Sequence, residues 1–502
     1  HFNLGNLLKE LGRLHEAEGC YREALKIKPE FTEALCNLGV ILRMLLQTEE
    51  SESVLRQVVA YAADFSEAHF NLGNVLHDQG RFVEAKGSYE EALRIRSGSY
   101  PEALANLGLS HRALGNYQLA ERMIREALAL KPDQAELHNN LGVILNELGK
   151  SDEAEESLRE AIRLLPEAPA FRSNLLFLLS TSQNVTQERY LEEAEKFGHL
   201  VTSLAKTRFD LERNPDPSPK RLRVGFVSGD LRNHPVGYFI EGLARAIDKT
   251  KIELLAFPTN LLLDDLTERL MPSFSKWQPI YGLEDQVAAK MIHGTVDILI
   301  DLSGHTEHNR LPVFAYKPAP VQISWLGYWA STGLAEMDYL LGDPIVTPHG
   351  VESNFTEMLW RFPNTRFCYT PPHAAIPLRE SPILDNGHIT FGSFNKLSKL
   401  TDDVVKVWSE ILNRTSGAKL FLKSKQLEDP EIRLATQARF TRHGVLPDRL
   451  IFEGVTSRED YLDAFNRIDI ALDPFPFPGG TTTADAIWMG VPVLTKRGDT
   501  LI

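Results

Sequence analysis

The segment PFPGGTTTADAIWMG, at positions 476–490, places two glycines and three consecutive threonines in front of residues of helical composition. The glycines leave backbone N–H groups accessible, and Thr481, Thr482 and Thr483 add three hydroxyls. Backbone N–H groups at the start of a helix bind anions such as phosphate. An ordinary loop with a threonine N-cap is a commoner explanation, so the anion site needs support from elsewhere in the chain.

Three other stretches carry side chains that could act together with this loop: SGDLRNHPVG with His234, DLSGHTEHNR with His305, and SFNKLSKL with Lys399. Lys399 offers a cation to a phosphate, and with the threonine hydroxyls it would stabilise a departing diphosphate without a metal. Asp485 is placed for the diol of a ribose, although an acid in a first helical turn is also favoured by the helix dipole. A lone histidine or lysine is usually solvated surface, so this interpretation requires the stretches to converge.

The elements that would position these stretches are short strands. Apolar or β-branched runs alternate with helix-compatible segments from residue 221 onward, and this alternation predicts an α/β region with mainly parallel sheets. The runs form two series, and ligands of such sheets bind at the carboxyl ends of the strands, so we expect a cleft between two lobes. The first series is RLRVGFVSGD, IELLAFPTN, VDILIDLSG, VQISWLGY and YLLGDPIV, and the second is HITFGSF, AKLFLKSK, RLIFEGV, IDIALDPF and VPVLTKR.

The first third of the chain repeats itself. The triplet NLG, or NLL in its last copy, recurs every 34 or 35 residues, which predicts tetratricopeptide repeats, each a pair of helices. The second copy lacks the mid-repeat glycine but should still form a repeat, and Asn174 is expected in a closing half-repeat. The triplets begin at Asn3, Asn37, Asn71, Asn106, Asn140 and Asn174, and small residues follow at Ala17, Ser51, Ala85, Ala120 and Ala154.

The asparagines of these triplets form a series on the first helix of each repeat, the helix that lines the concave surface of such arrays. A side-chain amide is both donor and acceptor, so a regular series suits an extended peptide of any sequence. A structural role, in which each asparagine bonds the backbone of a neighbouring repeat, has equal weight. The candidate acceptor-binding residues are Asn37, Asn71, Asn106, Asn140 and Asn174.

These patterns predict four segments. The repeat array takes residues 1–205, and a linker with the proline-rich sequence RNPDPSPKR takes residues 206–220. The first lobe of the α/β region then takes residues 221–380 and the second lobe residues 381–502.

Composition excludes several classes of protein. The chain has 502 residues with 43% hydrophobic and 24% charged, and its net charge of −14 argues against a nucleic-acid partner. Cys20, Cys36 and Cys368 lack metal-ligand spacing, which favours a reducing, cytoplasmic location without a disulfide framework or zinc site. We expect no membrane association, because no apolar run reaches the roughly 18 residues of a membrane span.

The repeat array joined to RVGFVSGDLRNHPVGYF, KPAPVQISWLGYWASTG, FGSFNKLSKL and GGTTTADAIWMGVPVLT resembles the O-linked N-acetylglucosamine transferase family, with its Spindly-type and bacterial members. The four motifs occur in the family's order, and the likeness covers nearly the whole chain. The resemblance implies an α-solenoid followed by a GT-B fold of two Rossmann-like lobes. It also implies an inverting, metal-independent glycosyltransferase that moves a sugar from a nucleotide diphosphate to Ser or Thr of a protein.

The resemblance assigns roles to individual residues. It makes His234 and Lys399 the catalytic pair, with His234 near both acceptor and donor and Lys399 on the donor phosphates. Thr481 and Thr482 would bind the diphosphate and Asp485 the ribose, and the asparagine series would grip the acceptor chain. The donor-binding group also includes Thr483, Gly480 and His305. The sequence departs from the vertebrate pattern, which has histidines where this chain has Gly480 and Tyr461.

The resemblance favours UDP-N-acetylglucosamine as donor. GDP-fucose is the alternative, because LSGHT and FLKSK resemble the Spindly branch, in which the plant enzyme uses GDP-fucose. Bacterial members share these motifs, so the motifs do not decide between the two donors. Two other hypotheses stay open: a binding scaffold with an inactive transferase region, and transfer to a glycan or small molecule. The chain opens with HFNLGNLL and closes with KRGDTLI, so we expect a fragment at both ends. The spacing between the strand series leaves no room for the domain inserted in vertebrate enzymes.

Overall fold

The computed structural model describes residues 1–182, 184–209, 221–373 and 375–496. The chain divides into two compact units, His1–Leu148 and Gly149–Ile502, and each is described by itself. Residues 210–220 of the predicted linker lie outside the described residues. The four segment boundaries expected from the sequence therefore stay predictions.

The first unit consists of helices that pack against their neighbours in sequence. Helices α3 and α4 form the second repeat, so the missing mid-repeat glycine does not prevent its formation, as expected. The helices are α1 (Phe2–Glu10), α2 (Leu14–Ile27), α3 (Thr32–Met44), α4 (Thr48–Tyr61), α5 (Ser66–Asp78), α6 (Phe82–Ile95), α7 (Pro101–Leu114), α8 (Tyr117–Leu130) and α9 (Ala135–Glu147).

Gly39 and Gly73 of the NLG triplets allow the two helices of their repeats to approach closely. A Cβ on Gly39 would lie 2.6 Å from Leu55 Cγ, and one on Gly73 would lie 2.6 Å from Tyr89 Cε1. Leu55 and Tyr89 are almost fully buried, so a larger residue at either glycine would displace a core side chain. The glycine in the motif therefore has a packing explanation.

The second unit opens with three helices, α10 (Ser151–Leu164), α11 (Pro169–Thr181) and α12 (Gln187–Leu204). Asn174 lies on α11, and α12 follows it as an 18-residue helix that packs against α11. The closing half-repeat expected at Asn174 stays a prediction. Helix α12 also packs on α16 of the α/β region that follows.

The first sheet is parallel, in the order β3-β2-β1-β4-β5-β6-β7. The five strands expected from the sequence are present, and the short edge strands β3 and β7 are additional. The strands are β1 (Leu222–Ser228), β2 (Ile252–Pro258), β3 (Lys276–Trp277), β4 (Ile298–Asp301), β5 (Val321–Ser324), β6 (Tyr339–Gly342) and β7 (Met358–Arg361), and the helices are α13 (Pro235–Ala246), α14 (Asp265–Leu270), α15 (Asp285–Ile292) and α16 (Leu311–Ala315).

The second sheet is also parallel, in the order β10-β9-β8-β11-β12, and contains the five strands expected. Its elements are α17 (Ile383–Asn386), β8 (Thr390–Ser393), α18 (Asp402–Arg414), β9 (Lys419–Lys423), α19 (Pro430–Thr441), β10 (Leu450–Glu453), α20 (Arg458–Asp463), β11 (Ile470–Leu472), α21 (Thr481–Trp488) and β12 (Val493–Leu494).

Both sheets are doubly wound, and strand order reverses between β1 and β4 in one and between β8 and β11 in the other. In open parallel sheets, ligands bind at the carboxyl ends of the strands where the order reverses. The predicted fold class, a repeat array followed by two Rossmann-like lobes, is confirmed.

Candidate active site

The loop before α21 and the residues after β8 meet at the reversal point of the second sheet. Lys399 Nζ donates to the Pro478 carbonyl at 2.8 Å and lies 3.8 Å from the centre of the Phe477 ring. Burial lowers the pKa of Lys399 to about 8, against the opposing effect of the Asp473 carboxylate. The structure thus brings the predicted cation onto the predicted anion-binding loop, and that cation is still mainly protonated at pH 7.

Helix α21 begins at Thr481, and its N-cap is Gly480, which has no side chain to bond the first N–H groups. The alternative of a threonine N-cap is therefore wrong. Thr483 Oγ1 donates to the Gly479 carbonyl at 2.8 Å, and Thr482 Oγ1 donates to Asn395 Oδ1 at 3.3 Å. The threonines line the start of a helix whose uncapped N–H groups favour negative charge.

Asn395 and Asp473 belong to this site although the sequence analysis missed them. Asp473 follows β11, and its Oδ1 accepts the Gly479 N–H at 2.7 Å. A Cβ on Gly479 would lie 2.0 Å from Thr482 Oγ1, so the loop requires glycine there. Both residues lie just after strands that flank the reversal point, so their position at strand ends could have identified them from the sequence.

Asp485 is 1% exposed, and its carboxylate is engaged by protein groups. Arg458 donates to it through two nitrogens, at 2.7 and 2.9 Å, and the Tyr369 hydroxyl donates to Oδ1 at 2.8 Å. The Arg458 guanidinium also lies 4.8 Å from the centre of the Tyr238 ring, on the first lobe. The expected ribose contact of Asp485 stays a prediction, and Arg458 and Tyr369 are site residues that the sequence analysis missed.

His234 is the N-cap of α13, directly after the loop that follows β1. Its Nδ1 accepts the Val236 N–H at 3.4 Å and lies 3.5 Å from Asp230 Oδ2. Burial, with the cations of Arg232 and Lys396, lowers the pKa of His234 to about 3. The imidazole is therefore neutral at pH 7. The contact of Arg458 with the Tyr238 ring of α13 shows that the two lobes face each other near this helix.

His305, predicted to bind the donor, is 1% exposed. Its Nδ1 lies 2.9 Å from Ser173 Oγ on α11, and its Nε2 lies 3.1 Å from the Thr332 carbonyl oxygen. Burial lowers the pKa of His305 to about 3. The structure thus places His305 between helix α11 and two loops of the first lobe, a position that argues against contact with a donor.

The asparagine series lies on alternate helices, from α3 to α11, and its five side chains are half-buried. Asn37 Nδ2 donates to Asn6 Oδ1 at 2.9 Å, and Asn106 Nδ2 donates to Asn74 Oδ1 at 2.7 Å. Asn71 Nδ2 lies 3.2 Å from Cys36 Sγ. These partners are side chains of the preceding repeat and not its backbone. Asn37, Asn71 and Asn106 thus contact the preceding repeat. Acceptor binding by the five asparagines stays a prediction.

Metal binding and membrane insertion are two other functions for which the described residues give direct information. Within the described part of the chain, no three His, Cys, Asp or Glu side chains form a group that could hold a metal ion. Among the helices of that part, none has the length and apolar character needed to cross a membrane.

The glycosyl transferase family 41 model matches residues 192–377 and 369–502, and tetratricopeptide repeat models match residues 1–31, 64–133 and 106–169. A tomato (Solanum lycopersicum) protein named probable UDP-N-acetylglucosamine–peptide N-acetylglucosaminyltransferase SPINDLY is 34% identical over 321 residues, which are 62% of this chain and 34% of that protein. The corresponding SEC protein of Arabidopsis thaliana is 30% identical over 291 residues, which are 55% of this chain and 29% of that protein. The chain spans about a third of the length of these curated relatives.

A solved structure of a lysine-to-methionine mutant of the Thermobaculum terrenum O-GlcNAc transferase superposes on this chain with a TM-score of 0.81. The two sequences are 34% identical, and the match covers 88% of this chain and 84% of the other. The family match, this structural likeness and the doubly wound lobes agree. The chain belongs to glycosyl transferase family 41.

Proposed function

We propose that this protein transfers N-acetylglucosamine from UDP-N-acetylglucosamine to Ser or Thr hydroxyls of protein acceptors, with inversion and without a metal. The observation that carries the proposal is the contact of Lys399 with the loop before α21, at the reversal point of the second sheet. The names of the Thermobaculum terrenum structure and of the plant relatives support the same donor.

In this proposal, Lys399 and the start of α21 stabilise the departing diphosphate. Cleavage of the bond between the sugar C1 and the phosphate oxygen develops negative charge on UDP. The Lys399 ammonium, the hydroxyls of Thr481, Thr482 and Thr483 and the uncapped N–H groups at Gly480 would meet that charge. The Lys399 ammonium is held at this loop by the Pro478 carbonyl, so that cation would need little reorganisation when the bond breaks.

His234 would act as the general base. Its imidazole is neutral at pH 7. With the ring proton on Nδ1, facing Asp230 Oδ2 at 3.5 Å in place of the long bond from the Val236 N–H, Nε2 would take the proton of the acceptor hydroxyl while the hydroxyl oxygen bonds to C1. Attack from the face opposite the diphosphate inverts the configuration at C1. The position of His234, after β1 at the reversal point of the first sheet, supports this role, because ligands of such sheets bind at that edge.

The acceptor polypeptide would be held by the asparagine series, at Asn37, Asn71, Asn106, Asn140 and Asn174. We also place the protein in the cytoplasm, which its three free cysteines support. Neither nucleic acid nor a membrane is proposed as a partner, because the chain is acidic overall.

The test is transfer of radiolabelled N-acetylglucosamine from UDP-N-acetylglucosamine to protein acceptors in a lysate. The wild-type protein should label acceptors, and Lys399→Ala should lower the rate by about a hundredfold or more. Lys251→Ala, which changes a lysine whose side chain is 80% exposed, is the matched control and should leave labelling unchanged. Labelling from GDP-fucose with none from UDP-N-acetylglucosamine would overturn the assigned donor.

A further inference from the structure

His305 is a buried histidine to which the reaction described above gives no role. Three parts of the second unit meet around it: helices α11 and α12, the loop after β4 at residues 302–309, and the loop after β5 at residues 327–334. The ring packs edge-on against Phe197 of α12, with centroids 4.7 Å apart, and against Tyr328, with centroids 5.4 Å apart.

The hydrogen bonds of His305 have a defined direction. A carbonyl oxygen can only accept, so Nε2–H donates to Thr332 at 3.1 Å. In the neutral ring Nδ1 is then an acceptor, and it receives the Ser173 hydroxyl at 2.9 Å. Ser173 Oγ in turn accepts from Asn309 Nδ2 at 3.1 Å. One continuous chain of hydrogen bonds therefore links both loops to α11.

The surrounding packing leaves little room for these loops to move. A Cβ on Gly198 of α12 would lie 1.8 Å from the Gly333 carbonyl oxygen, so helix and loop touch through their backbones. The Tyr190 hydroxyl of α12 donates to the Ser331 carbonyl at 2.8 Å. On the other side of the loop, Glu357 accepts the Thr332 N–H at 2.7 Å.

A series of ring contacts leads from this loop to the proposed donor site. Tyr328 is next to Trp329, and the centre of the Trp329 ring lies 4.6 Å from that of Phe477 on the second lobe. The Phe477 ring in turn lies 3.8 Å from Lys399 Nζ. Trp329 of the loop at residues 327–334 thus contacts Phe477, and Phe477 contacts the Lys399 ammonium.

We propose that His305 is a positioning residue that fixes the loop at residues 327–334 to α11 and α12. Through Trp329 and Phe477, it also holds the loop before α21 in place beside Lys399. Packed side chains transmit such coupling when they form a contiguous series of contacts. The inference rests on the proposed function only in that Lys399 is taken to bind the donor. The contacts that carry it do not depend on which sugar is transferred.

The test is amide hydrogen exchange, measured by mass spectrometry on the whole chain. His305→Phe keeps a ring against Phe197 and Tyr328 but removes both hydrogen bonds. We expect exchange about fivefold or more faster at residues 327–334 and also at residues 476–490, which contain the hydrogen-bonded amides of Gly479 and α21. His349→Phe is the matched control, because the His349 side chain is 89% exposed, and it should change neither segment. If His305→Phe does not fold, Ser173→Ala removes one bond of the same chain and is measured in its place.

A second variant tests the route. Trp329→Leu should accelerate exchange at residues 476–490 while leaving residues 302–309 unchanged. Faster exchange at 327–334 with unchanged exchange at 476–490 in the His305 or Ser173 variant would overturn the proposal and leave His305 a local packing residue. Exchange needs no substrate, so absence of sugar transfer by the wild-type protein would refute the proposed function without affecting this result.

Discussion

Arg458 and Asp485 form a paired contact at the centre of the proposed donor site. Two guanidinium nitrogens donate to the two carboxylate oxygens, at 2.7 and 2.9 Å, and the carboxylate is 1% exposed. The same guanidinium lies 4.8 Å from the Tyr238 ring and 5.2 Å from the Tyr461 ring. One buried acid of the second lobe thereby orients an arginine that also contacts the first lobe.

Asp485→Asn should lower the free energy of unfolding by about 2 kcal/mol, because it leaves the Arg458 charge without its carboxylate partner. Urea denaturation followed by tryptophan fluorescence measures the change. Asp402→Asn is the control, since the Asp402 side chain is 93% exposed and its pair with Arg439 should contribute less than about 1 kcal/mol. Equal effects of the two substitutions would contradict a structural role for the Arg458 pair.

UDP affinity should fall as the pH rises above 8. The pKa of Lys399 is lowered to about 8, so the free protein loses this cation above that pH, whereas bound diphosphate would stabilise the charged form. We expect the apparent Kd for UDP to rise about tenfold between pH 7 and pH 9. Lys399→Arg keeps its charge throughout this range, so its Kd should stay nearly constant. A wild-type Kd independent of pH would contradict a phosphate contact by Lys399.

His234→Ala should lower the rate of sugar transfer by about a hundredfold or more while changing UDP affinity only slightly, because a general base acts in the chemical step. Steady-state kinetics and UDP titration separate the two effects, with His349→Ala as an exposed control. The pKa of His234 lies near 3, so this base should impose no loss of rate between pH 8 and pH 5. A variant with normal kcat and weakened UDP binding would show that His234 binds the donor instead.

Replacing Asn71, Asn106 and Asn140 together by Ala should raise the KM for protein acceptors and leave UDP affinity nearly unchanged. Each amide would contribute hydrogen bonds of about 1 kcal/mol to a bound chain, before and during the reaction alike, so kcat should change little. Thermal melting of the same variant provides the control. A markedly lower Tm with unchanged acceptor KM would show that the contacts to Cys36 and Asn74 are the whole function of this series.

Much of the fold could be predicted because its signals are local. The 34-residue period specifies helix pairs, and short apolar runs ending in Gly, Asp or Ser specify the strands of both sheets. The convergence of Lys399 with the loop before α21 was also predictable, because strand ends in a parallel sheet meet at one edge. Edge strand β7 was missed, since its Met358 and Trp360 are exposed and its sequence lacks the apolar run of a central strand.

The remaining site residues depend on contacts between distant parts of the sequence. Arg458 and Tyr369 reach Asp485 only through tertiary packing, and no local pattern marks them. His305 follows a strand, as a cleft residue would, but its ring faces α11 and α12. The sequence assigned those helices to the repeat array, so nothing indicated that they would cover this loop.

The central claim is that the loop before α21, together with Lys399, binds the diphosphate of a uridine nucleotide. Calorimetric titration of the protein with UDP and with GDP at pH 7 tests this claim most directly. We predict that UDP binds with a Kd below about 1 mM, that GDP binds at least about tenfold more weakly, and that Lys399→Ala weakens UDP binding about tenfold or more. Absence of binding by either nucleotide at millimolar concentration, or tighter binding of GDP than of UDP, would contradict the account.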